Sequence, residues 1–142
     1  MGETVGNQDN RAIVRQVLSV FNSGDFAILD ELIAADYTNH NAPPGATQGV
    51  EGRKQAVAMF RRAFPDLRST VEDLIAEGDR VVARVNMRGT NTGEFMGRPP
   101  TGRPVNATGI DIFRIVDGRV TERWGVLDMM AINQQLASDK TA

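Results

Sequence analysis

Asp111, Trp124 and Asp128 are the residues of this chain best placed to do chemistry, and they lie in two runs joined by Asp117-Gly118. The runs are Gly109-Ile110-Asp111-Ile112-Phe113-Arg114-Ile115-Val116 and Arg119-Val120-Thr121-Glu122-Arg123-Trp124-Gly125-Val126-Leu127-Asp128. An Asp-Gly dipeptide between such runs is a strong hairpin signal. A two-residue turn sets Val116 opposite Arg119. Counting back from it sets Phe113 opposite Glu122, Asp111 opposite Trp124, Gly109 opposite Val126 and Ala107 opposite Asp128. Directly paired residues share a face, so one face is expected to carry Asp111, Glu122, Asp128 and the single Trp among small and aromatic neighbours. A slip of one residue would move the whole second run to the other face. Two carboxylates in one desolvated pocket divide into an ionised base and a protonated donor, which is the equipment of acid/base catalysis.

Asp128 ends its strand and is the leading candidate for the general base. Its position just before Met129 also suits the N-cap of a final helix, the reading that spacing alone favours, and the two roles do not fully exclude each other. Asp111, flanked by Ile110 and Ile112, is costly in a strand interior unless it is functional or paired with an Arg such as Arg84. His40 is the only histidine, which excludes a multi-histidine metal site. It stands at the mouth of a Pro-rich loop, as a proton donor, a carbonyl-positioning group or a structural residue. Tyr37 and Asn39 share a strand face beside it and can hydrogen-bond a polar substrate. Arg84 and Asn86 also share a face, suited to ligand anchoring or to a solvated surface. No Gly-x-Ser-x-Gly elbow, phosphate loop or dinucleotide fingerprint is present. Neither a metal nor any other cofactor is expected.

These groups must be positioned by helices followed by a sheet. Ile13, Val14, Val17, Leu18 and Phe21 predict a helix over 11–21, and Phe26, Leu29, Leu32 and Ile33 predict a second. Tyr37 to His40 is short and extended, and Asn41 to Gly49 is a loop rich in Pro and Gly. Ala56, Val57, Phe60, Ala63 and Phe64 predict a third helix over 51–64, stopped by Pro65. The period then changes to two, predicting antiparallel strands over 67–77, 80–89, 105–116 and 119–128, with a closing helix over 129–136. This order is α+β: a curved antiparallel sheet wrapped around N-terminal helices, with an open concave side for a small ligand. Residues 1–9 are expected to be a disordered tail, 10–138 one domain, and 139–142 a second tail. Ile110, Ile112 and Leu127 are expected on the convex face, buried in a homodimer.

The chain has 142 residues, enough for one self-sufficient core. A net charge of −2 argues against nucleic acid or an anionic membrane as partner. It has no cysteine, which fits a reducing compartment, and the expected location is cytoplasmic.

The chain resembles the SnoaL-like polyketide cyclases of the nuclear-transport-factor-2-like fold. The resemblance is carried by Tyr37-Thr38-Asn39-His40-Asn41, Gly49-Val50-Glu51-Gly52, Phe64-Pro65-Asp66, Glu77-Gly78-Asp79, Gly89-Thr90-Asn91-Thr92-Gly93-Glu94-Phe95, Pro100-Thr101-Gly102-Arg103 and Trp124-Gly125-Val126-Leu127-Asp128 with Gln135-Leu136. It covers Arg11 to Ala137. It implies a cone-shaped α+β barrel, a dimer through the sheet, and cofactor-free aldol closure of a hydrophobic carbonyl compound. The family's acid/base aspartate is similar to Asp128 here. His40, Asn39, Asn91 and Arg123 are then candidate donors to an enolate oxygen, and Trp124, Phe113, Phe60 and Phe95 candidate walls. Relatives carry His where this chain has Asn91 and Arg123. Tyr37-Thr38-Asn39 and Arg84-Val85-Asn86 also resemble elements of limonene-type epoxide hydrolases, although Asn86 stands where an acid would be. Epoxide opening and non-catalytic small-molecule binding are therefore the alternatives.

Overall fold

The structure is a computed structural model that describes residues 2–137. The elements follow the order α1 (Gly2–Ser23), α2 (Ala27–Leu32), β1 (Ile33–Asn39), α3 (Gly49–Ala63), β2 (Arg68–Glu77), β3 (Arg80–Thr90), β4 (Pro104–Val116), β5 (Arg119–Leu127) and α4 (Met129–Leu136). Helix α1 begins at Gly2, inside the stretch read from sequence as a tail, and the second expected tail lies outside the described residues. Gly24, at φ 73°, ends α1 in the left-handed conformation that closes many helices. Arg61 of α3 then donates to the Phe21 carbonyl at 2.9 Å, satisfying an acceptor that the helix end leaves open.

The five strands form one open sheet in the order β1-β5-β4-β3-β2. The four C-terminal strands are the expected antiparallel meander. The short Tyr37 segment adds a fifth strand, parallel to β5, at its edge. Alternation along β3 and β4 is strict. Val81, Ala83, Val85 and Met87, with Val105, Ala107, Phe113 and Ile115, face inward and are buried. Helix α1 packs Val14, Val17, Leu18 and Val20 into one core cluster with Leu29, Val57 and the inner sheet face. A second cluster joins Phe64, Phe95, Ala107, Ile132 and Leu136 under α4 and the loop before β4.

The β4–β5 hairpin turns at the expected residues. Val116 pairs with Arg119, and Asp117 and Gly118 have φ of 51° and 79°, as a two-residue primed turn requires. The expected register fails beyond it. Ile115 pairs with Val120 but Arg114 pairs with Glu122, so Thr121 is an extra residue in β5, a β-bulge. Every later side chain of β5 changes face. Asp111 pairs with Gly125 and Phe113 with Arg123, and it is Arg123, Gly125 and Leu127 that share the inner face with Asp111. Glu122, Trp124 and Val126 are turned to the convex face. Leu127, expected outside, is therefore inside.

Candidate active site

A cavity of about 470 Å³ opens on the concave side, lined by residues of both core clusters and by the loop from Asn41 to Gly49. Its volume suits a small-molecule site. The inner faces of β4 and β5 carry glycine at 109 and 125, which leaves space where larger side chains would fill the core. Leu18, Phe21, Met59, Phe60, Val85, Met87 and Leu127 form apolar walls. The rim loop is tied to the sheet. Gln48 accepts from the Asn39 N–H at 2.9 Å and donates to its carbonyl at 3.1 Å, while Asn41 Oδ1 accepts from the Gly125 N–H at 2.8 Å.

One group of polar side chains breaks the apolar lining. Asp111 is buried at 6% exposure and meets Arg123 through Nη2 at 2.6 Å and Nε at 2.9 Å. Both donors converge on Oδ1, and no described residue donates to Oδ2. Arg123 also donates from Nη1 to Asn39 Oδ1 at 3.1 Å, so the guanidinium is fixed from two strands. Gly125 makes this possible, because a Cβ there would collide with Asp111 Oδ1 and the Arg123 guanidinium. A buried carboxylate costs several kcal/mol unless paired. Here a single cation holds it, by one oxygen, in a defined orientation.

Tyr37 and Arg53 complete the group. Among the described residues the Tyr37 hydroxyl finds no hydrogen-bond partner though buried, and neither do Nε and Nη2 of Arg53. Burial pushes the Tyr37 phenol above its ordinary value, with nearby Arg53 and Arg123 opposing, so the hydroxyl is a proton-bearing donor at neutral pH. Burial lowers the Arg53 guanidinium, with Tyr37 and Asp111 opposing. Arg53 is held instead by aromatic faces, its Cζ lying 5.3 Å from the Phe21 ring centroid and 5.8 Å from that of Phe113.

A family profile described as SnoaL-like polyketide cyclase matches residues 11–136. The chain belongs to that family. It is 29% identical over 132 residues to the aklanonic acid methyl ester cyclase DnrD of Streptomyces peucetius, covering 87% of this chain and 88% of that protein. It is 30% identical over 122 residues to the nogalonic acid methyl ester cyclase of Streptomyces nogalater, covering 84% and 91%. Among solved structures, TsrD from Streptomyces laurentii superposes with a TM-score of 0.80 at 33% identity, covering 90% of this chain and 97% of that one. IdmH from Streptomyces antibioticus superposes with a TM-score of 0.79 at 38% identity, covering 90% and 98%.

In this SnoaL-like protein the expected site residues separate into two sets. Asp111, Arg123, Asn39, Tyr37 and Phe60 line the cavity together. Phe113 is buried behind it, under Arg53. Asp128 is outside. It is exposed, and its Oδ1 accepts from the Ala131 N–H at 3.0 Å, capping α4. The bulge at Thr121 carries Trp124 to the convex face, where His40 stacks on it at 4.7 Å between centroids and donates from Nε2 to Glu122 Oε1, 2.9 Å away. His40 therefore does not reach the cavity. Asn91 is buried, but its side chain staples a loop by donating to the Ala63 and Gly93 carbonyls and accepting from Thr101. Phe95 packs on Phe60 and Phe64 within the second core cluster, away from the cavity surface. Arg84 pairs with Asp73 and Asn86 with Asn106 on the convex face, so neither anchors a ligand in the cavity and the epoxide-hydrolase element is not assembled there.

Arg53 was not among the candidates from sequence. The signal for it was present: Val50, Arg53, Val57 and Phe60 form one apolar stripe of α3, and a lone Arg on such a stripe must be buried. Gly125 carried no comparable signal.

Proposed function

We propose that this protein is a polyketide ester cyclase that closes a ring by an intramolecular aldol reaction, with Asp111 as the acid/base residue. What supports this most is the Asp111 carboxylate, held through Oδ1 by Arg123 in an apolar cavity, with Oδ2 taken by no donor among the described residues. Oδ2 removes a proton from a methylene activated by two neighbouring carbonyls. The resulting enolate carbon attacks a carbonyl carbon of the same molecule, forming the carbon–carbon bond. The new alkoxide takes the proton back from Asp111. The sequence is redox-neutral and leaves the enzyme unchanged. Arg123 and Asn39 are the polar neighbours able to position carbonyl oxygens, and the aromatic and Met walls hold the rest of the substrate. A positioned base of this kind contributes roughly 10²–10⁴-fold. The activity names of the two Streptomyces relatives make aklanonic acid methyl ester and nogalonic acid methyl ester the first substrates to test. In D2O the wild type is expected to exchange deuterium into the activated methylene of such an ester, and Asp111→Asn to abolish that exchange. Undiminished exchange in the variant would reject the assignment.

We also infer a homodimer through the convex face. Ile75, Val82, Ile112 and Trp124 are paired in register across four strands, and Ile110 and Val126 extend the band at 44% and 67% exposure. An exposed apolar band of this extent marks an interface. Sedimentation at micromolar concentration is expected to give a dimer, and a monomer would refute it.

A further inference from the structure

The aldol reading leaves Arg53 and the Tyr37 hydroxyl without a task, and they point to the charge of the substrate. The cavity lining contains two guanidinium groups, Arg53 and Arg123, but one carboxylate, Asp111. Arg123 and Asp111 cancel. Arg53 remains as a buried cation, 7% exposed, close enough to Tyr37, Asp111 and Arg123 for each to shift its ionisation. Its unpartnered atoms are Nε and Nη2. These two lie on one edge of the planar group, the edge that takes two oxygens at once. Among the described residues no hydrogen bond pins the guanidinium, which rests on the Phe21 and Phe113 faces, so turning that edge to the cavity breaks no hydrogen bond. The Tyr37 hydroxyl beside it is also unpartnered and can donate.

An uncompensated buried cation with a free bidentate edge is a large cost to the empty protein. An anionic ligand removes that cost. We infer that the cavity takes its substrate as a monoanion whose two delocalised oxygens, those of a carboxylate or of an ionised 1,3-dicarbonyl enol, are bound by Arg53 with the Tyr37 hydroxyl. This deepens the cyclase reading and rests on the same cavity. It places the substrate's anionic group by α3 and leaves its reacting methylene for Asp111 on β4.

The test is calorimetric titration at pH 7 with three flat probes: 2-naphthoate, the enolate of 2-acetyl-1,3-indandione, and neutral methyl 2-naphthoate. At least one anion is expected to bind about tenfold or more tighter than the ester, the size of one charge-assisted bidentate contact. Which anion binds identifies carboxylate or enolate as the recognised group. Arg53→Met is expected to erase that preference while raising the melting temperature of the unliganded protein, because it removes an unpaired buried charge and keeps the apolar stem. A purely structural Arg would instead lower the melting temperature when replaced. Tyr37→Phe is expected to weaken the anion severalfold and to leave the ester unchanged, and it serves if Arg53→Met fails to fold. Asp111→Asn is expected to retain or tighten anion binding, so failure of the acid/base assignment is separable from failure of this one. Equal affinity for anions and ester in the wild type, or an undiminished preference in both Arg53→Met and Tyr37→Phe, would overturn the inference.

Discussion

Arg123→Met breaks the ion pair that holds Asp111, and its cost follows from burial. The two side chains are 16% and 9% exposed, so the carboxylate would be left in a largely apolar cavity without a hydrogen-bonded cation, Arg53 acting on it only through space. Removing one partner of such a pair costs about 3–5 kcal/mol, against about 0–1 kcal/mol for an exposed pair. The loss is comparable to a third or more of a typical domain's stability. The double variant Arg123→Met/Asp111→Asn carries neither charge and is expected to recover at least about 2 kcal/mol of that loss. Urea unfolding of the wild type, both single variants and the double variant gives the coupling directly. In turnover, Arg123→Met is expected to lower kcat by about 10²-fold with a smaller change in KM, since Asp111 remains but is no longer aimed. A stability loss below about 1 kcal/mol, with no coupling between the two sites, would refute the buried-pair reasoning.

Gly125→Ala is expected to damage catalysis without touching a reacting group. Its methyl would meet Asp111 Oδ1 and the Arg123 guanidinium, costing about 1–3 kcal/mol by overpacking and a large fraction of kcat; wild-type kinetics in that variant would show that the carboxylate's position is not critical. On the convex face, Glu122 is held below the usual carboxylate range first by His40 and then by Arg114, and Asp79 likewise by Arg114. Because these folded-state values are depressed, their stabilisation is complete above the unfolded carboxylate range and disappears as pH falls through the folded values. Melting temperature is therefore expected to drop on acidification from about pH 5, and to drop less in Glu122→Gln. Identical profiles for the two proteins would remove Glu122 from the network.

What the sequence made legible was whatever depends on period and turn chemistry. The apolar spacing from Ile13 to Phe21 marks α1, the Asp117-Gly118 turn is where expected, and the α+β order follows from the change of period at Leu67. The site was half legible. Asp111, Arg123, Asn39, Tyr37 and Phe60 were all named, but the face they share was assigned through a register that Thr121 interrupts. A bulge is one residue in a strand with no composition of its own, and it reverses everything beyond it. Hence Trp124 and Glu122 were placed inside and Leu127 outside. Asp128 presented a different difficulty, since a residue between a strand and a helix has two roles that spacing cannot separate. The structure puts Asp128 at the N-cap of α4, exposed and outside the cavity, with Oδ1 accepting from the Ala131 N–H. Arg53 was overlooked because an Arg is ordinarily assigned to a solvated helix face, even where the stripe it occupies is apolar.

The proposed mechanism requires Asp111, rather than Asp128, to move the proton. Ring closure of aklanonic acid methyl ester or nogalonic acid methyl ester should be measured in Asp111→Asn and Asp128→Asn side by side, with stability followed in both. A loss of about 10²-fold or more is expected for Asp111→Asn. Near-native turnover is expected for Asp128→Asn, with at most about 1 kcal/mol of stability lost at the α4 cap. Loss of turnover in Asp128→Asn with retention in Asp111→Asn would contradict that mechanism.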